Sequence, residues 1–176
     1  STVGSTTTAA VLFSPEWIGA VTTLGTPPSE RYIHSAVSWI DPSTDEPKMS
    51  VFGGWDGSRK NDVHTLDLVT GAWSGAVATS GAPSARYGHS AVGWFDPSTN
   101  EPKMSVFGGH DGSRKNDVHT LDLVTGAWSG AVATSGTPPS TRYEHSAVGW
   151  IDPSTNEPKM SVFGGHDGSR KNDVHT

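Results

Sequence analysis

The feature that most constrains this chain is that nearly the same unit is written three times. Arg86 to Asn116 reads RYGHSAVGWFDPSTNEPKMSVFGGHDGSRKN, and Arg142 to Asn172 repeats it with changes only at Gly88/Glu144 and Phe95/Ile151. The stretch from Arg31 differs little more, with Ser38 for Gly93 and Trp55 for His110. The copies start at Arg31, Arg86 and Arg142, a period of 55 and then 56 residues. The extra residue lies in the proline turn, where GTPPST (136–141) replaces GAPSA (81–85). Self-similarity at such a period marks a repeat architecture, in which each unit buries its apolar face against its neighbours.

Each unit reads as four short strands. In the middle copy, strand a runs from His89 to Trp94, and the DPSTNEP turn leads to strand b, Lys103 to Gly109. The loop HDGSRKN precedes strand c, Asp117 to Val124, and a Thr125-Gly126 turn opens strand d, Ala127 to Thr134. Proline and glycine between β-rich runs favour hairpins, and no apolar pattern of helical period has useful length. The composition agrees. Only 33% of residues are hydrophobic, beside 21 Gly, 12 Pro and 7 Trp, which suits short strands and tight turns better than a helical core.

These residues carry a family resemblance. Paired glycines end strand b, a DG loop follows, and a tryptophan comes twenty residues later (Gly53 to Trp73, Gly108 to Trp128). With the Arg and His that open strand a, the pattern resembles the kelch repeat over residues 9–176. The departure is His64, His119 and His175 in strand c, where kelch repeats often carry Tyr. The resemblance implies an all-β, kelch-type β-propeller with about three four-stranded blades in this chain, set around a central channel.

The repeat also divides the chain. Residues 1–8 form an N-terminal extension, 31–85 and 86–141 are whole repeats, and 142–176 hold strands a to c of a split repeat. Residues 9–30 match the end of a repeat, with Trp17 in the place of Trp73 and Gly25 in the place of Gly81, and supply strand d of the split blade with part of strand c. Ala9 and Thr176 both fall opposite Thr65, so three whole units lie between them in permuted order. Propellers typically close with 4–8 blades, and an open arc exposes blade faces and unpaired edges. Two expectations follow: two chains close a six-bladed ring, each N-terminal strand completing a blade of its own chain or its partner's, or the chain is a fragment of a longer propeller. The chain opens at Ser1 without Met or a signal-peptide pattern, as a processed form or an excised piece does.

The parity of the meander sorts the loops into two ends. One end collects Arg31, Arg86 and Arg142 with the pairs Arg59–Lys60, Arg114–Lys115 and Arg170–Lys171. The other collects Asp41, Asp96, Asp152, Glu46, Glu101, Glu157, Asp67 and Asp122. Guanidinium meets carboxylate in a bidentate fork, so the first end is expected to engage acidic peptides or carboxylates. The alternative for Arg31, Arg86 and Arg142 is that they pin the turn between blades by bonding loop carbonyls and nearby Asp. His34, His89 and His145 open strand a near the channel mouth, where symmetric histidines either hold an anion or metal or bond neighbouring blades. Blade spacing exceeds the roughly 2.0–2.1 Å of a zinc–nitrogen bond, so no metal site is expected. Trp55, His110 and His166 sit in the b–c loop as contact candidates, because aromatic side chains at loop tips anchor partners. Trp17, Trp73 and Trp128 read as packing residues of strand d.

Several classes are excluded or disfavoured. A net charge of −6 argues against a general nucleic-acid binder, and no apolar run reaches the roughly 18 residues of a membrane span. With no Cys there is no disulfide or thiolate site, which fits any redox compartment and leans only slightly to the cytoplasm. It also rules out the copper and Tyr–Cys chemistry of the galactose-oxidase relatives. Near-identical repeats offer one residue many times rather than different residues converging on a point, so no catalytic residue and no cofactor is expected. No GxSxG, HExxH or P-loop occurs, and the DGSRKND loop lacks the terminal Glu of a calcium loop. The expected function is a non-catalytic scaffold or protein-interaction module that associates with itself. The alternative is a fragment of a larger, carbohydrate-active propeller.

Overall fold

The computed structural model describes residues 19–176. Every regular element in them is a strand. Blade 1 contains β2 (Ser35–Asp41), β3 (Glu46–Trp55), β4 (Arg59–Asp67) and β5 (Ala72–Ala76), preceded by the short β1 (Leu24–Thr26). Blade 2 contains β6 (Ser90–Phe95), β7 (Pro102–His110), β8 (Arg114–Asp122) and β9 (Trp128–Ala131). Blade 3 contains β10 (Ser146–Ile151), β11 (Pro158–Phe163) and β12 (Val174–His175). Within each blade the strands pair antiparallel in chain order, in the order a, b, c, d expected from the turns.

The local chemistry explains the hairpins. The a–b turn of blade 2 is held by Asp96, whose Oδ1 accepts from Ser98 N at 2.9 Å and Ser98 Oγ at 2.6 Å, while Asn100 takes a positive φ of 58°. Asp and Asn suit such positions because their short polar side chains bond the local backbone and tolerate the left-handed region. Asp96 and its counterparts Asp41 and Asp152 are therefore structural turn carboxylates. The paired glycines after strand b make a bulge, with the register shifting between Phe107 and Gly109. A Cβ on Gly109 would come within 2.9 Å of both His89 Cβ and Tyr87 O, so only glycine lets strand a pass this close.

Strands a of adjacent blades lie side by side: β6 packs between β2 and β10. A Cβ on Gly93 would lie 3.3 Å from Val37 Cβ, and one on Gly149 would lie 3.2 Å from Val92 Cβ. The core sits between blades rather than within them. Val37, Phe52 and Val63 of blade 1 meet Met104, Val106, Leu121 and Trp128 of blade 2. Phe52 and Trp128 rings are 5.0 Å apart. A strand-d tryptophan thus plugs the face of the preceding blade, and burying such a side chain is among the largest single contributions a small β-core receives.

The expected extension at 1–8, and Trp17 as a strand-d residue, lie outside the described residues. Within the stretch 9–30, Leu24–Thr26 pairs parallel with β5, on the outer edge of blade 1. Ser80 bridges Ala127 of blade 2 in the same parallel sense. The chain must travel from the outer strand of one blade to the inner strand of the next, and it lies along that outer edge as it goes.

Candidate interaction site

Arg31, Arg86 and Arg142 come first because the sequence offered two roles for them. The side chain of Arg86 donates through Nη1 to Gly108 O at 2.9 Å and to Asp117 Oδ1 at 2.7 Å, and through Nη2 to Asp117 Oδ2 at 3.0 Å. Its Nε donates to Ser84 O at 3.2 Å. Arg31 and Arg142 make the same forks to Asp62 and Asp173. Arg86 and Arg142 are fully buried. Their donors are committed inside the blade, so these guanidiniums clamp the turn to the b–c hairpin and present no free face to a ligand. Burial raises the pKa of Asp117, but bonds from His119 and Arg86 outweigh it and hold the carboxyl well below the usual range. His64, His119 and His175 thus support the clamp through Asp62, Asp117 and Asp173, at 3.1, 2.9 and 3.0 Å.

Two of the strand-a histidines, His89 and His145, are also interior. His89 lies edge-on to Phe52 of the preceding blade, with ring centroids 5.0 Å apart, and its Nε2 is 2.8 Å from Ser35 Oγ. His145 packs likewise against Phe107. Burial first, and then the neighbouring arginine, pushes His89 down to about 3 and His145 down to about 4. Both are neutral packing groups buried between blades. His34 is exposed. Among the described residues no cluster of His, Asp or Glu has metal-ligating geometry.

The b–c loops form a different surface. Trp55, Tyr87, His110, Tyr143 and His166 make one continuous aromatic arc across all three blades. Ring centroids are 5.6 Å apart for Trp55–Tyr87, 5.3 Å for the stacked Tyr87–His110, 5.7 Å for His110–Tyr143 and 5.5 Å for Tyr143–His166. Reciprocal backbone bonds set the two pairs that lie within one blade: Tyr87 N donates to His110 O at 3.2 Å and His110 N to Tyr87 O at 2.9 Å, and Tyr143 and His166 exchange bonds at the same distances. Gly112 N donates to His110 Nδ1 at 3.2 Å, and Gly168 N to His166 Nδ1 at the same distance. Burial, then the charges of Arg59 and Arg114, lowers the pKa of His110, keeping it neutral with Nε2–H as its outward donor.

The basic pairs beside the arc split in two. Lys60, Lys115 and Lys171 are tied to Asp56, Asp111 and Asp167 at 2.7, 2.9 and 2.8 Å. Arg59, Arg114 and Arg170 are exposed and make no ion pair with any described residue. Arg59 lies over the Trp55 ring at 5.8 Å, a cation–π distance. The structure therefore brings together Trp55, His110, His166, Arg59, Arg114 and Arg170. It adds Tyr32, Tyr87 and Tyr143, which sequence reasoning passed over. Their signal was present: each follows the clamp arginine directly in every repeat.

An array of antiparallel blades packed face to face, with one aromatic and cationic rim, defines a propeller-type repeat protein built to present loops. A family model for the KLHDC2/KLHL20/DRC7 kelch-repeats domain matches residues 9–176, and the chain belongs to the kelch-repeat family. It is 39% identical over 109 residues to human host cell factor 2, covering 60% of this chain and 13% of that protein. It is 36% identical over 149 residues to a bovine Rab9 effector protein with kelch motifs, covering 82% of this chain and 37% of that protein. An Arabidopsis acyl-CoA-binding domain-containing protein is 32% identical over 168 residues, covering 87% of this chain and 23% of its own length. The chain thus spans well under half the length of each relative.

Proposed function

We propose that this chain is a non-catalytic interaction module whose aromatic–arginine rim binds an acidic, carboxylate-bearing segment of a partner protein. One observation carries this reading: Arg59, Arg114 and Arg170 stand exposed and without an ion pair among the described residues, beside a continuous aromatic arc. Aromatic rings give contact area at low entropic cost, and guanidiniums fork onto carboxylates. The other arginines and lysines of the repeats are each paired with a carboxylate within the fold. The names of the relatives, an effector and a host cell factor, fit an interaction role better than a catalytic one.

The test is titration of an acidic, aromatic-containing peptide against the chain, followed by calorimetry. Replacing Arg59, Arg114 and Arg170 together by Ala is expected to weaken binding at least tenfold and to flatten its salt dependence. Unchanged affinity in the triple variant removes the rim as the site. A second reading, self-association into a scaffold of six blades from two chains, is favoured by the exposed apolar face of blade 3.

A further inference from the structure

The rim carries a fixed length as well as a charge. Three backbone hydrogen bonds cross each joint beside it. Between blades 1 and 2, Gly54 N donates to Arg86 O at 2.9 Å, Arg86 N to Lys60 O at 2.8 Å and Gly88 N to Ile33 O at 2.9 Å. Between blades 2 and 3 the same bonds recur: Gly109 N to Arg142 O at 2.9 Å, Arg142 N to Lys115 O at 2.8 Å and Glu144 N to Gly88 O at 2.7 Å. The carboxylate forks on Arg86 and Arg142 hold these same residues. Both joints are therefore alike at the rim, and a residue there meets its repeat partner after one set step. Tyr87 and Tyr143 measure that step, with ring centroids 6.4 Å apart. Tyr143 is seated on the backbone of Gly88, where an added Cβ would stand 3.3 Å from its Cδ2.

The step selects among ligand conformations. An extended peptide rises about 3.2–3.4 Å per residue, so side chains two positions apart share a face and lie roughly 6.4–6.8 Å apart. Two residues of strand thus match one blade. A helix covers about 6 Å only over four residues, and it is a straight rod about 10–12 Å across. The rim runs round the axis of the blades, and at this step a propeller of roughly 4–8 blades has a radius there of only roughly 4–8 Å. An extended chain, with two soft dihedrals at every residue, follows such a curve and a helical rod does not.

The available charge follows the same step. Arg59 and Arg114 both open strand c beside the arc, exposed and without an ion pair to any described residue. Arg59 lies over the Trp55 ring at 5.8 Å. After burial, its charge is the next cause that lowers the pKa of His110 in the following blade. Arg114 lies flat against the loop of the following blade, with Nη1, Cζ and Nη2 at 3.7, 3.9 and 3.9 Å from where a Gly168 Cβ would stand. Each guanidinium thus leans forward across its joint, one repeat after the other. Each is also the far end of a flexible side chain, so the spacing of the blades sets where it meets an acid.

We infer that the partner segment is an extended strand with acidic side chains at alternate positions, one meeting Arg59 and the other Arg114, while the side chain between them points away from the rim. The inference rests on the acidic-ligand reading above and gives that ligand its conformation and spacing. Tyr87 and His110 lie between the two arginines along the arc, and His110 Nε2–H is a donor for a carbonyl of the strand. Guanidinium and carboxylate meet as forks, so each blade reads one acid.

The experiment is calorimetric titration of the whole chain with three short peptides, blocked at both ends and identical in composition. Each carries one Tyr and two Glu, with the Glu adjacent, two apart or four apart. The two-apart peptide is expected to bind at least fivefold more tightly than either of the others. Arg114→Ala is expected to erase that preference, because the remaining free arginines no longer stand one blade apart. Equal affinity for all three leaves the acidic-ligand reading standing and overturns the spacing. Tightest binding of the adjacent or four-apart peptide overturns it as well, and a preference that survives Arg114→Ala overturns the pairing of acids with blades. Binding of none overturns both readings. A single-stranded thymidine oligomer, which also combines regular negative charge with stacking rings, is expected to bind this chain of net charge −6 more weakly than the two-apart peptide does. Tighter binding of the oligomer makes the rim a nucleic-acid site and overturns both readings.

Discussion

The joint between blades 1 and 2 and the joint between blades 2 and 3 are built from the same sequence, yet one is filled and the other is a cleft. Val37, Phe52 and Val63 recur as Val92, Phe107 and Val118, and Met104 and Val106 recur as Met160 and Val162. The first joint is filled by Leu121 and Trp128, contributed by the two outer strands of the following blade. The contrast teaches that a blade in this protein is finished by its neighbour. Strands a and b set the wall, and the strand-d tryptophan seals it.

The largest effect that tests this contrast is loss of the sealing ring. Trp128→Ala is expected to cost about 3–5 kcal/mol in urea unfolding, the usual range for emptying a buried aromatic site. Trp73→Ala, at the half-buried counterpart, is expected to cost less than half as much under conditions where the chain is monomeric. Equal losses would mean that the two joints are not different in the way described.

The clamp gives the next effect. Arg86→Ala leaves Asp117 and Gly108 O facing a buried gap, and removing one partner of a buried pair costs roughly 3–5 kcal/mol. Arg86→Lys keeps the charge without the fork and is expected to fall between that variant and the unaltered protein. A thermal melt of both variants decides the order.

A smaller effect sharpens the comparison through pH. His89 and His145 have native pKa values lowered to about 3 and about 4, below the unfolded value of 6.5. Between those values the unfolded chain binds more protons than the native one, so stability falls as pH drops below 6.5 and rises with pH across that window. At pH 5 each histidine is expected to remove roughly 2 kcal/mol relative to pH 7 or above. His89→Phe, measured by urea titration at both pH values, should reduce this slope. A slope unchanged by the substitution would falsify the assignment of the window to the blade-facing histidines. The clamp aspartates act in a lower window: with depressed pKa values their stabilisation is lost only as pH falls below about 4. The smallest effect belongs to the rim, where Trp55→His copies the residue of blades 2 and 3 and is expected to change stability by less than about 0.5 kcal/mol.

Much of the architecture was legible because punctuation recurs. Asp96 and Asn100 mark the a–b turn, and the Gly108-Gly109 pair marks the bulge, so strand order and the two chemically distinct ends followed from the sequence. The site was legible only in part. Arg86, Arg114 and Lys115 carry the same charge and cluster at one end, but sequence could not say that Asp117 takes the first, Asp111 the third, and nothing described takes Arg114. That sorting depends on partners 31 residues apart for the clamp and on a turn that brings Lys115 back over Asp111. Tyr87 stayed hidden because its role comes from pairing with His110 across the loop.

The sequence by itself determined the repeat, the four-stranded unit, its turns and its kelch family, because those are written in local spacing and residue type. Only the tertiary structure decided which repeated residues are buried and which are free. Phe52 and Phe163 sit in the same local sequence, and one is sealed while the other faces outward. Burial is a property of the neighbouring blade, and in a chain of near-identical units the neighbour is what changes.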